Sequence, residues 1–282
     1  MKICPCKLSE LKFNDFSLIG YSAAGEETVV IVPELDAVFD IGKCPKEALN
    51  VNHVFLTHGH MDHAAGLPYY FAQHYFQSKK IGTALVPKEL VEPLEEILAL
   101  WQKVDGDIHP HSIIGMSNGD EFEINKRLVA KAFSTNHNIP SLGYSILEVR
   151  YKLARQFYGK CKEELLKLKS DGSNITTKEE IPLIAYLGDT MLADFSSLPH
   201  VANAKVLILE CTFFAEEHFE RSRKYKHTHV QDLPFILSKM NNEHIIISHV
   251  TKRIKLTEAK KILADTLSPD LLQRVYFLMD RL

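Results

Sequence analysis

Cysteine is scarce in this chain, and tryptophan occurs once: 5 Cys and 1 Trp in 282 residues. Cys4 and Cys6 stand too close to frame a disulfide, and Cys44, Cys161 and Cys211 are scattered, so the pattern excludes a disulfide-stapled domain and leads us to expect free thiols in a reducing compartment. The Cys4-x-Cys6 spacing is read as chance rather than as a metal pair. No apolar run approaches the roughly 18 residues that a membrane span needs. Met1-Lys2-Ile3-Cys4-Pro5-Cys6 offers neither a long apolar core nor a cleavage site, so no secretory signal and a cytoplasmic, intracellular location are expected. A dominant charge is missing too. The net charge of −3 and pI near 6.5 do not advertise a nucleic-acid binder as a whole, although a local basic patch could serve as one. Linkers, low-complexity stretches and clean repeats are also wanting, so residues 1–282 read as a single domain.

Apolar residues are plentiful, at 45%, enough for a sizeable core. Strand-like runs and helix-like runs alternate. Thr28–Val32 and Ala37–Ile41 flank Pro33-Glu34-Leu35-Asp36, which reads as a hairpin connection. Further strands are expected at 54–57, 128–133, 144–149, 183–187, 206–209 and 245–248. Helices are expected at about 64–77, from Pro87 to the Asp105-Gly106 stop, and at about 153–168, 230–240 and 257–263. Leu90, Leu94, Ile97, Leu98 and Trp101 share one face of the second helix and read as core. Asp105-Gly106-Asp107 lacks the later ligands of a calcium loop and reads as a turn. His74, His109, His111 and His218 read as surface residues.

Thr57-His58-Gly59-His60-Met61-Asp62-His63 is the informative stretch. It sets three imidazoles and a carboxylate into six residues behind the apolar strand Val54-Phe55-Leu56. Neutral imidazole and carboxylate suit zinc and its first-row neighbours. A loop leaving a strand end can turn His58 and His60 onto one ion, leaving Asp62 and His63 to begin a second site. His137, Asp189 in Leu187-Gly188-Asp189-Thr190, and His249 after Ile245-Ile246-Ile247-Ser248 also stand near strand ends, where α/β scaffolds collect functional residues.

Here the chain resembles the metallo-β-lactamase superfamily, through Thr57–His63, His137, Asp189 and His249. Within it the chain is similar to short-form ribonuclease Z, the tRNA 3′-processing endonuclease, and especially to compact plant and cyanobacterial-style members. That likeness rests on Ala37-Val38-Phe39-Asp40-Ile41-Gly42, Gly66-Leu67-Pro68, the run from His137 to Gly143-Tyr144, Glu210-Cys211-Thr212-Phe213, Lys226-His227-Thr228-His229, and His249 to Arg253. The resemblance implies an α/β fold, a four-layer αββα sandwich of two mixed β-sheets faced by helices. It implies two zinc ions per subunit, other divalent metals also suiting the donors. His58, His60 and His137 would hold one, Asp62, His63 and His249 the other, and Asp189 would bridge them. His227 would be the general acid, Glu210 its orienting partner, and Asp62 a further participant in proton transfer. His229 is the rival acid; in an extended segment the two histidines face opposite ways, and the family motif selects His227. The substrate would be precursor tRNA, whose 3′ trailer is removed, and the assembly a homodimer. The alternative is a general or cyclic-nucleotide phosphodiesterase of the same fold. An inactive relic would be expected to lack a ligand, and none of the seven is missing.

One interval departs from the family. The arm that carries a Gly-Pro signature in many members is represented here by a short insertion, about 150–181, without that pair. Between Arg150 and Lys169, Arg150, Lys152, Arg155, Lys160, Lys162, Lys167 and Lys169 stand against only Glu163 and Glu164, a balance of seven minus two, or +5. Such a cluster can grip phosphates or simply form a solvated helix face. Arg221, Arg223, Lys224 and Lys226 form a second basic run beside His227. Val250 and Thr251 stand where the family motif has an aromatic and a serine.

Overall fold

Two seven-stranded sheets carry the fold of the computed structural model, which describes residues 8–191 and 193–280. The first sheet orders β1 (Ser9–Lys12), β2 (Ser17–Ala23), β3 (Glu27–Val32), β4 (Ala37–Ile41), β5 (His53–Phe55), β6 (Thr83–Pro87) and β7 (Ser112–Met116). The second orders β8 (Glu121–Asn125), β9 (Leu128–Ser134), β10 (Leu142–Leu153), β11 (Thr176–Tyr186), β12 (Val206–Glu210), β13 (His244–Ser248) and β14 (Val275–Phe277). Both sheets are mixed. Pairing is antiparallel from β1 to β4 and from β8 to β11, and parallel from β4 to β7 and from β11 to β14.

Three apolar clusters make the layers. Between the sheets, Phe39 and Phe55 of the first meet Tyr186 and Tyr144 of the second, with ring centroids 5.2 and 5.4 Å apart. The tyrosine hydroxyls would be costly to bury unpaired. Tyr144 donates to the carbonyls of Leu56 and Leu85, and Tyr186 donates to Asp40, so the sheets are bolted together beneath the β5 end. On the outer face of the first sheet, α1 (Met61–Ala64), α2 (Leu67–Phe76) and α3 (Val91–Asp105) cover Val29, Ile31, Val54 and Val86. A separate helix, α4 (Lys162–Ser170), sits between β10 and β11 in the chain. The outer face of the second sheet is covered by α5 (Pro199–Ala202), α7 (Leu233–Leu237) and α8 (Leu256–Thr266), which pack on Leu207, Leu209, Ile245 and Ile247. The remaining helices are α6 (Phe219–Tyr225) and α9 (Pro269–Leu272). The result is the expected αββα sandwich.

Several local expectations need correction. The stretch 153–168 is not one helix. β10 runs on to Leu153, a 3-10 turn follows at Arg155–Phe157, and α4 starts only at Lys162. The backbone of 150–153 finds partners in β11, from Arg150 opposite Glu179 to Leu153 opposite Thr176, and a paired backbone outweighs helical spacing of leucines. Trp101 is not core: it is 52% exposed, with Ile97, Leu100 and Val104 also open, while Leu98 on the other side is buried. His74 and His109 are not surface residues. His74 stacks on Tyr70 at 4.2 Å and binds the Lys80 carbonyl, and His109 packs against Tyr75 and Phe76. Asp105-Gly106-Asp107 is a turn, with Gly106 in the left-handed region closing α3. Cys44, Cys161 and Cys211 are free thiols, and Cys4 and Cys6 lie outside the described residues. Among the described residues no helix is long and apolar enough to cross a membrane.

Candidate active site

The parallel strands of both sheets end at one rim, the place where open α/β sheets gather ligands. Asp40 belongs to β4, Thr57–His63 follow β5, His137 follows β9, Asp189 follows β11, Glu210 closes β12 and His249 follows β13. Asp40 and His249 take left-handed backbone conformations, φ 55° and 56°, which non-glycine residues seldom adopt and which gather at functional sites. Gly42 is required by close approach: a Cβ there would lie 1.9 Å from the Asp62 carbonyl oxygen. Gly188, at φ 60°, turns the chain from β11 into Asp189 against Thr57.

These elements bring the dispersed residues together in three groups, two of metal-ligand type and a third, Asp189 with His227 and His249, that overlaps both. His58, His60, His137 and Asp189 form the first, and Asp62, His63 and His249 the second. In the first, His60 Nδ1 lies 3.0 Å from His58 Nε2 and 3.3 Å from His137 Nε2. In the second, His249 Nε2 lies 3.3 Å from His63 Nε2 and 3.4 Å from Asp62 Oδ2. Asp189 Oδ2 stands between the groups, 3.6 Å from His58, 3.4 Å from His63 and 3.5 Å from His249. Four nitrogen or oxygen atoms about 2.0–2.1 Å from a tetrahedral zinc are separated from each other by about 3.3 Å, the spacing seen here. Asp189 Oδ1 is buried without a hydrogen-bond partner, which is unusual for a carboxylate oxygen and is accounted for by a cation. The donor set therefore fits a metal ion.

The hydrogen bonds behind the donors fix which ring nitrogen faces inward, a recurring feature of metal-binding histidines. Thr57 donates its hydroxyl to Asp40 and so accepts from His58 Nδ1, leaving Nε2 for the site. His63 Nδ1 donates to Asp40 Oδ2 at 2.7 Å. Thr212 donates to Glu210 at 2.7 Å and so accepts from His249 Nδ1 at 2.9 Å. His137 Nδ1 donates to the Lys226 carbonyl at 3.2 Å. The electrostatics follow the same geometry. Burial holds His58 well below the ordinary imidazole value and also lowers His60 and His137, favouring the neutral form that ligates. Burial opposes charge on His63 as well, but the Asp189 and Asp40 carboxylates override it and raise that group.

His227 stands at the edge of this cluster. Its Nδ1 is 3.0 Å from Glu210 Oε1 and 3.9 Å from Asp189 Oδ2. Burial disfavours its charge, yet the Glu210 carboxylate pushes the imidazole up to about 9. Glu210 is buried and also accepts from the main-chain amides of Thr190, Thr212 and Thr228. The neighbouring His229 is fully buried and turned away, with Nε2 on the Ala215 carbonyl and Nδ1 accepting from the Gln231 amide. A cavity of about 440 Å³ opens over the donors, and its lining includes Asp62, Asp189, His227 and His249 together with Arg221, Tyr225 and Arg253. Asp40 and Thr212 are the supporting residues that reading for ligands passed over. The signals were present: an aspartate inside the apolar run Ala37–Ile41, and a hydroxyl two residues beyond Glu210.

Fold and donor set together define a protein of the metallo-β-lactamase type, and comparison with known proteins agrees. The profile of the metallo-β-lactamase superfamily matches residues 45–137. The fold is shared with the metallo-β-lactamase fold protein YhfI of Bacillus subtilis, at TM-score 0.64 and 15% identity over 91% of this chain and 93% of that one. It is shared too with human tRNase Z, short form, at TM-score 0.59 and 18% identity over 83% and 92%. The sequence is 34% identical to tRNase Z TRZ1 of Arabidopsis thaliana over 96% of this chain and 98% of that protein. The chain belongs to the ribonuclease Z (tRNase Z) family.

Proposed function

We propose that this protein is a zinc-dependent endoribonuclease that removes the 3′ trailer of precursor tRNA. The observation that carries the reading is the His227–Glu210 pair set beside seven converging donors in a chain of this family. In this reading His58, His60 and His137 would hold one zinc and Asp62, His63 and His249 a second, with Asp189 available to both. Two divalent cations there supply Lewis acidity and lower the pKa of water towards about 7. Water adds to phosphorus and the bond from phosphorus to the 3′-oxygen breaks. His227, its Nδ1 held by Glu210, gives a proton from its other nitrogen to that leaving oxygen. Asp62 opens on the same cavity, which supports a role in taking the proton from the attacking water. The products are a 3′-hydroxyl on the tRNA and a 5′-phosphate on the trailer. The buried, fully bonded state of His229 supports His227 as the acid.

The whole chain acts as one domain in this reading, with the hairpin arm at about 150–181 as its insertion. Part of the arm's positive charge is neutralised locally, by Arg150 with Glu148 and Lys152 with Glu179, each at 2.6 Å. Arg155, Lys162, Lys167 and Lys169 form no ion pair among the described residues, which supports a weaker phosphate grip than the bare count suggests. The outward stripe Ile97, Leu100, Trp101 and Val104 on α3 supports a homodimer through this face, since folded chains rarely leave such a patch open.

Incubation of purified, zinc-loaded protein with a 3′-extended pre-tRNA tests the activity. A single cut leaving a 3′-hydroxyl on the tRNA is expected. Intact pre-tRNA alongside turnover of bis(p-nitrophenyl) phosphate would leave only the general phosphodiesterase. For the assembly, Trp101→Glu should convert a dimer to a monomer by light scattering, and an unchanged mass for the variant would count against this face.

A further inference from the structure

Helix α6 contributes Arg221 and Tyr225 to the cavity wall, and its two arginines have different fates. Arg223 is anchored: its guanidinium forks onto Asp232 at 2.7 and 2.5 Å and lies over Phe219, 4.4 Å from the ring centroid. Arg221 forms no ion pair among the described residues and lines the cavity instead. One turn on, at the i+4 position that shares its helix face, Tyr225 is 42% exposed, and the Arg221 guanidinium lies 5.4 Å from its ring centroid. Arg253 approaches from beyond β13, likewise without an ion pair among the described residues. The flexible Lys224 ammonium lies 5.5 Å from the Tyr225 ring centroid. Exposed cations beside an exposed aromatic ring are what single-stranded nucleic acid requires: charge for phosphate and a flat surface for a base.

The attachment of this wall to the chemistry is short. After Tyr225 the chain turns through Lys226, in the left-handed region at φ 52°, straight into His227. Lys226 is pinned to the donor loop from both of its polar ends. Its carbonyl accepts from His137 Nδ1 and its ammonium donates to the His137 carbonyl at 3.0 Å. Tyr225 is therefore held two residues from the group that faces the leaving oxygen.

We infer that the Arg221–Tyr225 pair is the stacking platform for the unpaired base on the 5′ side of the scissile bond, with Arg221 and Arg253 taking the adjoining phosphates. The inference rests on the proposed phosphodiester reaction, in which the leaving 3′-oxygen belongs to that same nucleotide and lies next to His227. Tyr225 is a positioning residue that selects a flexible single strand at the cut and reads no base identity, since every base has a stackable face.

The test is a two-by-two comparison on zinc-loaded protein. Wild type and Tyr225→Ala are each given pre-tRNA with its normal nucleotide, or with a base-free ribose, immediately 5′ of the cut. Loss of the base should raise KM for the wild type by about 5- to 150-fold, the worth of one base–aromatic stack. Tyr225→Ala should show a similar loss on normal RNA and no further loss on base-free RNA, while Tyr225→Phe keeps the wild-type KM. Losses that multiply, or a Tyr225→Ala variant with unchanged KM, would overturn the inference while leaving the tRNA reading intact. A wild type that leaves pre-tRNA whole while hydrolysing bis(p-nitrophenyl) phosphate would overturn both. Should Tyr225→Ala lower the thermal midpoint or zinc content, Arg221→Gln carries the test. The slope of log(1/KM) against log salt should then become shallower by about 0.7, one phosphate contact on a single strand, and an unchanged slope would refute the assignment.

Discussion

His63 and His249 rest on buried carboxylates, directly on Asp40 in one case and through Thr212 onto Glu210 in the other. His58 rests through the Thr57 hydroxyl on the same Asp40, whereas His137 rests on a main-chain carbonyl and His60 is half-buried. The two halves of the site thus carry similar donors with dissimilar support. Carboxylate behind imidazole fixes the ring and raises its basicity. The half around Asp62, His63 and His249 is accordingly the more charge-supported, since both of its histidines are backed by carboxylates, and it contains the left-handed His249. The other half adjoins His227 through the Lys226 turn, and the two halves share Asp189.

Removing the shared residue should abolish the contrast. Asp189→Asn is expected to reduce bound zinc from about two per chain to below one and bring phosphodiester turnover to background; metal analysis that still finds both ions would show that the halves stand alone. His227→Ala should lower turnover by about 10²–10⁴ with the metal content kept. Loss of zinc in that variant would make His227 a ligand, a role its nearness to Asp189 and His249 leaves to experiment. Asp40→Asn separates the halves. It acts directly on His63 and only through Thr57 on His58, so it should weaken the zinc at His63 by about 10- to 100-fold in chelator competition and the other by less; equal weakening would deny the asymmetry. Gly42→Ala probes the same half through the backbone, because its Cβ would meet the Asp62 carbonyl. It should cost about 1–3 kcal/mol in urea unfolding, the usual price of overpacking, and a wild-type midpoint would mean that the loop yields freely.

The same division explains what could be read from the sequence. The cluster Thr57–His63 is contiguous, and donors at apolar strand ends advertise themselves, so the metal half of the story was legible. The supports were not. Asp40 meets His63 across 23 positions and Tyr186 across 146, and neither pairing has any local trace. Among the strands, those that passed unnoticed include all four sheet edges, β1, β7, β8 and β14. An edge strand need bury little, as the alternating Glu121–Asn125 and the three-residue Val275–Phe277 illustrate. Helical spacing held at 162–168 and misled at 153–161, where the chain leaves its pairing with β11 at Leu153 and passes through a 3-10 turn before α4 begins. Trp101 misled in the opposite sense, because α3 has one apolar stripe toward the first sheet and another toward solvent, and periodicity does not say which is inside.

The account turns on two cations sharing Asp189, and anomalous scattering from crystals of the zinc-loaded protein reports on that directly. Data collected at the zinc edge should show two peaks about 3.5–4 Å apart, one beside His58, His60 and His137, the other beside Asp62, His63 and His249, with the Asp189 carboxylate between them. A single peak, or zinc bound away from Asp189, would contradict it.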